Sequence, residues 1–272
     1  MTISAFIPTF NEENRIETTL KTLQWCDEIV VLDKSSSDMT IDIAKKYTSK
    51  VFAMDNSMKY DSSEMELMLE YCNSEWILLF TASDVIHPKL ASEIMDVIKN
   101  KDFHFDIIDV PFRNFILGIG ESFSPWYSVS KPILIKKSKI RLNLTGVHDA
   151  IHFDSKLRYK ISSDYCINHL THVSVDMMMD RHLRYWRSEA HDSRKSINKS
   201  LKSVFGAFYV VIRRGTFFYG YKGVALAFAY ISYFMMSFVY RWEFLHSQAS
   251  QNYDKISRDV LVDWDLHNKN NI

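Results

Sequence analysis

The feature that most constrains the fold is an alternation, in the first third of the chain, of short apolar runs with segments of helical periodicity. The apolar runs are rich in Ile, Val and Leu, and the segments between them place apolar residues three or four positions apart. The runs lie at residues 3–8, 28–33, 50–53 and 75–80, and the helical segments at 12–23, 38–47 and 62–72. Consecutive βα units of this kind predict an α/β domain with a mostly parallel sheet and helices on both faces.

Polar residues follow three of the predicted strands at their carboxyl ends. They are Pro-Thr-Phe-Asn-Glu at residues 8–12, Asp-Lys-Ser at 33–35 and Thr-Ala-Ser-Asp at 81–84. Because ligands of open parallel sheets bind beyond the carboxyl ends of the strands, we expect these segments to converge on one site. The chain has no Gly-rich turn of dinucleotide folds and no phosphate loop of the P-loop type, so a metal ion or side chains would have to hold any phosphate.

Composition and charge exclude several classes of protein. The chain has 33 Lys plus Arg and 33 Asp plus Glu, so no basic surface is available for a polyanion and nucleic acid is not an expected partner. Its three cysteines show no paired or CxxC spacing, which predicts free thiols in a reducing compartment. The first residues lack a basic segment followed by an apolar one. They predict a first strand rather than a secretion signal, and hence a protein on the cytosolic side.

The C-terminal third contains an apolar segment at the length threshold for crossing a membrane. Residues 223–240 are an uncharged run of about 18 residues, flanked by Arg213, Arg214, Lys222 and Arg241. Three interpretations are open: a spanning helix, an interfacial hairpin in one leaflet, or a buried interface of an oligomer. The tyrosines of this region and the flanking cations favour the interfacial hairpin, because aromatic rings and cations both find partners at the headgroup level.

The string IPTFNEENRIETTLKTLQWCDEIVVLDKSSSDMTIDIAKKY, residues 7–47, resembles the opening of family-2 inverting glycosyltransferases. Within that family it is most similar to the bacterial lipopolysaccharide inner-core β-glucosyltransferase subgroup. The resemblance continues through EWILLF at residues 75–80, GVHDAI at 146–151 and the aromatic C-terminal helices, so it covers nearly the whole chain. It implies a GT-A (Rossmann-like) fold, whose whole sheet is mixed and has helices on both faces, a nucleotide-sugar donor and inversion at the anomeric carbon.

The resemblance also assigns functions to particular residues. Asp33 is expected to contact the base or ribose of the donor, although a carboxylate after a strand can instead cap a turn. The residues expected to bind the nucleotide sugar are Pro8, Thr9, Asn11, Glu12, Asp33, Ser83 and Asp84.

Asp149 stands where the family places its catalytic carboxylate. Inversion needs a general base that takes the proton of the acceptor hydroxyl, and a carboxylate meets that need. His148 next to it is expected on the acceptor side, together with Trp126, whose ring could stack on a sugar.

Two departures from the family pattern affect the donor side. The Asp-Xaa-Asp motif is replaced by Thr-Ala-Ser at residues 81–83, which leaves Asp84 alone, and a Gln-Lys/Arg-Asn triplet is replaced by Glu-Met-Glu at 64–66. Mg²⁺ and Mn²⁺ prefer carboxylate ligands, so dependence on a divalent metal is doubtful. Either Asp84 and His169 form a weaker metal site with the diphosphate, or cationic side chains neutralise the leaving group, or catalysis has been lost. Asp84 could also serve only as the N-cap of a helix that begins near Pro88.

These observations predict two regions. Residues 1–168 form a GT-A domain, with a donor half at about 1–100 and an acceptor half at about 101–168, and residues 169–272 form a helical, membrane-associating region. The expected partners are a nucleotide-diphosphate sugar, a lipid-linked or lipopolysaccharide acceptor, the membrane surface and a second copy of the chain. The expected location is peripheral or monotopic, on the cytoplasmic face of the inner membrane. The competing hypothesis is a catalytically silent nucleotide-sugar-binding or scaffold protein at the membrane.

Overall fold

A computed structural model describes residues 1–55, 62–100, 102, 104–142, 151–192 and 196–270, and within them strands and helices alternate up to residue 99. The strands are β1 (Ile3–Thr9), β2 (Glu28–Asp33), β3 (Val51–Ala53), β4 (Trp76–Leu79), β5 (Asp84–Ile86), β6 (Ile107–Ile116), β7 (Ser130–Lys136), β8 (Ile140–Leu142), β9 (Ile151–Phe153), β10 (Arg158–Lys160) and β11 (Ile167–Thr171). The α-helices are α1 (Ile16–Thr22), α2 (Thr40–Ala44), α3 (Ser62–Tyr71), α4 (Pro88–Lys99), α5 (Val175–Ala190), α6 (Ile197–Arg213), α7 (Gly220–His246) and α8 (Ala249–Asn270).

Nine of these strands form one mixed sheet, in the order β3-β2-β1-β4-β7-β6-β11-β5 with β10 beside β6. β1 pairs in parallel with β2 and β4, whereas β7 runs antiparallel to both β4 and β6. β10 and β11 pair in parallel with the first and second halves of β6. As a consequence β1, β2, β4, β6 and β11 all end at the same edge of the sheet.

Helices cover both faces of the sheet because side chains of each strand point alternately to either side. In β1, Ile3 and Ile7 pack into a core with α1 and α4, whereas Phe6 packs into a second core with α3. Trp76 in β4 is fully buried in the first core, and Ile77 is fully buried in the second. The predicted α/β fold of GT-A type, with helices on both faces, is confirmed.

The first helix begins one turn later than its apolar pattern predicts. The carbonyl oxygen of Glu12 accepts hydrogen bonds from the backbone N–H groups of Arg15 and Ile16, both at 2.9 Å, so residues 12–15 form a turn that leads into α1. The β2 prediction, residues 28–33, matches the structure. The helix predicted at 38–47 is limited to Thr40–Ala44, and the Asp38 carboxylate accepts from the backbone N–H of Thr40 at 3.0 Å.

The predicted domain boundary between residues 168 and 169 falls inside β11. That strand pairs with β6 through Thr171, and Asn168 and His169 also pair with β5, so the sheet continues past the predicted boundary. α5 begins at Val175, with Ser174 as its N-cap. Residues 169–171 therefore belong to the sheet, and the helical region begins with α5 rather than at residue 169.

α7 is the one described helix that is long and apolar enough to cross a membrane. It packs against α5 through polar contacts near its middle: Glu189 accepts hydrogen bonds from Tyr233 Oη at 3.1 Å and Ser237 Oγ at 2.7 Å. The indole N–H of Trp186 donates to the carbonyl oxygen of Tyr233 at 2.9 Å. Only 22% of the residues in the most apolar 18-residue window of α7 are buried, and the exposed residues of the helix include Phe228, Met235 and Val239, so the helix has an exposed apolar face.

Candidate functional site

The carboxyl ends of β1, β2, β4, β6 and β11 border a cleft of two adjoining chambers. The first chamber has a volume of about 230 Å³ and the second of about 330 Å³. Five residues line both chambers: Pro8, Glu12, Thr81, Arg181 and Tyr185. The strand ends therefore converge as the position of ligand sites in parallel sheets predicts.

The first chamber contains a buried ion pair. Lys34, which follows β2, pairs with Glu64 of α3, and the side chain of each is only 6% exposed. Glu64 belongs to the Glu-Met-Glu segment that stands in place of the Gln-Lys/Arg-Asn triplet expected from the resemblance. The wall of the cleft therefore carries a negative charge at this position. Lys34 compensates that charge within the same wall. The remaining residues of this chamber are Thr9, Phe10 and Arg184.

Glu12 is shared by two arginines at the junction of the chambers. It accepts a hydrogen bond from Arg15 Nε at 2.7 Å and another from Arg181 Nη2 at 2.9 Å. Arg181 also donates to Thr171 Oγ1 at 3.2 Å. Burial lowers the pKa of the Arg181 guanidinium; Glu12 opposes that shift, and the positive charges of Arg15 and Arg184 add to it. One carboxylate is thus shared by two guanidinium groups at the junction.

The Thr81–Asp84 turn closes the floor of the cleft. Asp84 is buried, and its Oδ2 accepts from the backbone N–H of Thr81 at 2.7 Å and from Thr81 Oγ1 at 2.9 Å. Its Oδ1 lies 2.7 Å from His169 Nδ1. The alternative interpretation of Asp84 as a helix N-cap is wrong, because α4 is capped by His87, whose side chain accepts from the backbone N–H of Lys89.

The ligands of a family-type divalent metal ion are not present among the described residues. Asp84 supplies one carboxylate, and both of its oxygens already have hydrogen-bond partners. Ser83 and Thr81 contribute neutral hydroxyls, which are weak ligands for Mg²⁺ or Mn²⁺. No group of three His, Cys, Asp or Glu side chains within the described ranges could hold a metal ion. The donor set seen in the structure therefore does not fit the metal that the family pattern implies.

The second chamber contains polar and aromatic groups that suit a sugar. Trp126 lines it, as does Asn114, which donates from Nδ2 to the Trp126 carbonyl oxygen at 2.6 Å. His172 also lines it, and burial, reinforced by the charges of His182 and Arg181, lowers the pKa of His172 to about 4. Its imidazole is therefore neutral at pH 7. The chamber is also lined by Ala82 and Ser83, which follow β4, by Ile116 at the end of β6, and by His169 and Thr171 in β11.

His172 is held in an unusual backbone conformation, with a φ of 43° that non-glycine residues seldom adopt. Its Nδ1 is buried and has no hydrogen-bond partner within the described part of the chain. Strained backbone and unpartnered polar atoms concentrate at functional sites.

Asn11 lies in the loop that follows β1 and Asp33 ends β2, and neither residue lines a chamber of the cleft. Asp33 is fully buried and accepts from the backbone N–H of Ser36 at 2.8 Å and from Ser36 Oγ at 2.6 Å. Asn11 Oδ1 accepts from the backbone N–H of Ser37 at 2.8 Å. The contacts of Asp33 are those of a turn cap, which was the alternative interpretation of this residue, and its contact with a nucleotide stays a prediction.

The cleft brings together most of the remaining predicted site residues. These are Pro8, Thr9, Glu12, Ser83, Trp126 and His169, with Asp84 behind His169. His148 and the predicted base Asp149 lie outside the described residues, so their place on the acceptor side stays a prediction.

The sequence interpretation missed a basic face of α5. Arg181, Arg184 and Tyr185 are spaced three and four positions apart, which puts them on one side of a helix. The neighbouring stripe of Met178, His182, Trp186 and Ala190 is buried. A cationic face beside a buried face was readable from the sequence, but its position over the sheet edge depends on how α5 packs.

A larger cavity, of about 650 Å³, lies between α1 and α4. It opens on the face of the sheet rather than at the carboxyl ends of the strands. Lys21, Trp25, Met95 and Asp96 are among its lining residues, and none of the predicted site residues lines it. Volume alone therefore does not locate the site, whereas strand polarity does.

Comparisons with known proteins agree with this architecture. A sequence model described as glycosyl transferase family 2 matches residues 4–165. An uncharacterized glycosyltransferase of Rickettsia typhi is 25% identical over 210 residues, covering 72% of this chain and 70% of the relative. Another, from Rickettsia bellii, is 21% identical over 281 residues and covers 96% and 94%.

Among solved structures, residues 1–349 of S. aureus TarS in complex with UDP-GlcNAc superpose with a TM-score of 0.51 at 15% identity, covering 90% of this chain and 91% of that one. A second structure of the same TarS segment gives a TM-score of 0.50 at 16% identity, with 87% of this chain and 81% of that one covered. At these identities the structural similarity shows a shared fold.

Proposed function

The chain belongs to glycosyl transferase family 2, and on this basis we propose that it transfers a sugar from a nucleotide-diphosphate sugar to an envelope glycan, with inversion at the anomeric carbon. The acceptor we propose is a saccharide of a lipopolysaccharide, a capsule or a similar lipid-linked glycan. The resemblance of residues 7–47 to the lipopolysaccharide inner-core β-glucosyltransferase subgroup motivates this acceptor class.

The observation that carries the proposal is the two-chambered cleft at the carboxyl ends of the strands. Its first chamber, bordered by Thr9, Lys34 and Arg184, is polar and suits the nucleotide diphosphate. Its second chamber, with Trp126 and Asn114, suits the transferred sugar and the acceptor. Because the TarS structure with a related fold was solved with UDP-GlcNAc, UDP-sugars are the first donors to test.

The proposed reaction is a single displacement. The acceptor oxygen attacks the anomeric carbon, the bond from that carbon to the β-phosphate oxygen breaks, and its electron pair leaves with the nucleoside diphosphate. Asp149, which we propose as the general base, takes the proton of the acceptor hydroxyl. Attack on the face opposite the leaving group inverts the anomeric configuration.

We propose that the hairpin of α6 and α7 lies in the membrane interface. At its tip, residues 215–221, Phe218 is 91% exposed and Tyr221 is 96% exposed. Arg213 and Lys222 flank the tip and can meet lipid phosphates. Glu189 of α5 accepts hydrogen bonds from Tyr233 and Ser237 near the middle of α7. This contact supports an interfacial position, because a carboxylate held against the middle of a membrane-spanning helix would be costly.

The tip is attached to the loop that carries Trp126. Thr216 Oγ1 donates to the carbonyl oxygen of Phe123 at 2.7 Å, and the ring of Tyr219 stacks on that of Phe123 with centroids 4.0 Å apart. Arg214 donates to the carbonyl oxygen of Tyr127 at 3.2 Å. A tip inserted among headgroups would therefore place the second chamber close to the bilayer surface, where a lipid-linked acceptor is available.

Replacing Phe218 and Tyr221 together by serine is expected to lower binding to anionic lipid vesicles by at least about tenfold, since two exposed aromatic rings no longer leave water on binding. Cosedimentation with vesicles that contain phosphatidylglycerol measures this. Leu157→Ser, a change of an exposed apolar residue in the sheet domain, is the control and should bind as the unchanged protein does. Equal sedimentation of all three proteins would contradict the interfacial position.

The function is tested by incubating the purified protein with a panel of UDP- and GDP-sugars and a lipid-linked acceptor from a bacterial envelope. We expect one donor to give a glycosylated product whose new linkage has the inverted anomeric configuration, detectable by NMR. Donor binding without transfer or hydrolysis across the panel would instead support the silent binding or scaffold protein. No binding and no turnover with any donor would contradict both.

A further inference from the structure

We infer that Arg181 and Arg184 of α5 bind the diphosphate of the donor and neutralise the leaving group without a divalent metal ion. The inference rests on the proposed function, since it concerns the donor of that reaction. It starts from a disagreement within the cleft: the family pattern implies a metal, but the single carboxylate of the turn, Asp84, is buried and has both oxygens engaged by Thr81 and His169. The charge that a metal would supply has to come from elsewhere.

The two arginines stand where that charge is needed. Arg181 lines both chambers, and Arg184 lines the first. A diphosphate between the nucleoside and the sugar must lie at the junction of the chambers, which Arg181 and Tyr185 both border. Thr81, the first residue of the segment that replaces Asp-Xaa-Asp, borders the same junction from the opposite, strand side. The two arginines and the first residue of the replaced motif therefore line the same chamber.

The local charge balance favours an anion at this junction. Lys34 and Glu64 form a pair with each other, and Glu12 is shared by Arg15 and Arg181. Burial lowers the pKa of the Arg181 guanidinium, and the nearby positive charges of Arg15 and Arg184 repel it and add to that shift. A diphosphate bound beside Arg181 and Arg184 would relieve this repulsion.

Guanidinium groups suit the task chemically. As the bond between the anomeric carbon and the β-phosphate oxygen breaks, the departing diphosphate gains one unit of negative charge. An arginine remains charged at neutral pH and can donate two parallel hydrogen bonds to phosphate oxygens. Arg181 is already oriented by Glu12 and Thr171, so its position requires little reorganisation when charge develops.

Calorimetric titration with inorganic pyrophosphate, UDP and GDP, each in EDTA and in Mn²⁺, tests the inference. The unchanged protein should bind its preferred nucleotide in EDTA with a Kd within about threefold of that in Mn²⁺. Arg181→Gln and Arg184→Gln should each weaken binding of that nucleotide and of pyrophosphate by about 10- to 100-fold, because each removes a charged hydrogen-bond donor. Arg184 is exposed, so Arg184→Gln should fold as the unchanged protein does. It therefore tests the inference separately from Arg181→Gln, which also loses the contact with Glu12.

Arg187→Gln is the matched control. It makes the same change in charge on an exposed residue of the same helix that lines neither chamber, and it should bind as the unchanged protein does. Binding in EDTA that depends on Arg181 and Arg184 would support the inference even if no sugar were transferred, in which case only the proposed function would fail. Transfer that stops in EDTA, with pyrophosphate affinity equal in all variants, would overturn the inference and leave the function standing. Absence of binding of all three probes would overturn it too.

Discussion

Replacing Asp149 by asparagine is expected to lower kcat by about 10²- to 10⁴-fold, which is the usual contribution of a positioned general base. Asparagine has nearly the same shape as aspartate but cannot take the proton of the acceptor hydroxyl. Because the donor-binding residues are contributed by other segments, the Kd for the nucleotide should change little. Initial rates at saturating donor and acceptor, together with a donor titration, measure the two quantities separately.

Asp154→Asn is the control for this experiment. Asp154 lies shortly after the proposed base and forms an exposed ion pair with Arg141, at 3.4 Å, so the same change of charge there should leave kcat within about twofold. A full rate in Asp149→Asn would remove this assignment alone. An equal loss of rate in both variants would also contradict it, because the effect would then follow the general charge of the region rather than proton transfer.

Replacing Lys34 by methionine is expected to lower the free energy of unfolding by about 3 to 5 kcal/mol, because it removes one partner of a buried ion pair, and with it the opposite charge that offsets the burial of the Glu64 carboxylate. Both side chains of the Lys34–Glu64 pair are only 6% exposed. Methionine fills a volume similar to that of the lysine stem, so the loss comes mainly from removing the ammonium group that pairs with the Glu64 carboxylate. Urea denaturation followed by tryptophan fluorescence measures the change.

Two comparisons separate this charge effect from a packing effect. The double variant Lys34→Met with Glu64→Leu should recover most of the lost stability, since apolar replacement of a whole buried pair is often neutral or stabilising. Lys21→Met, which breaks the exposed pair with Glu17 on α1, should lower the free energy of unfolding far less, because water screens an exposed pair. If Lys34→Met cost no more than Lys21→Met, the pair would not contribute as a buried pair does.

The parts of the fold that were predicted correctly are encoded over short stretches of sequence. β2 matches its prediction, residues 28–33, because a continuous run of β-branched and aliphatic residues is bounded by charged residues on both sides. α1 was predicted too long, because the residues from Glu12 to Arg15 also carry helix-forming side chains. In the folded chain, the Glu12 carboxylate is held by Arg181, far away in sequence, and the segment forms a turn.

Some features of the candidate site can likewise be predicted from short stretches of sequence, and others depend on the tertiary structure. Residues at strand ends, such as Thr9 and Ser83, were found because the carboxyl ends of parallel strands meet at one edge. The loss of Asp-Xaa-Asp was also readable, since it concerns which residues stand in a local motif. Neither the engagement of Asp84 by His169 nor the partner of Glu64 could be derived, because each depends on which segments lie side by side.

From the sequence by itself, the α/β class, the parallel direction of β1 to β4 and the doubtful metal site follow, since each arises from local hydrophobic pattern and residue type. Only the tertiary structure decided that α5 lies over the strand ends and brings Arg181 to Glu12, a contact between residues 169 positions apart. The physical reason is that packing of a helix against a sheet is set by the fit of many side chains at once. The packing of the buried face of α5 therefore also determines where the arginines on its other face lie.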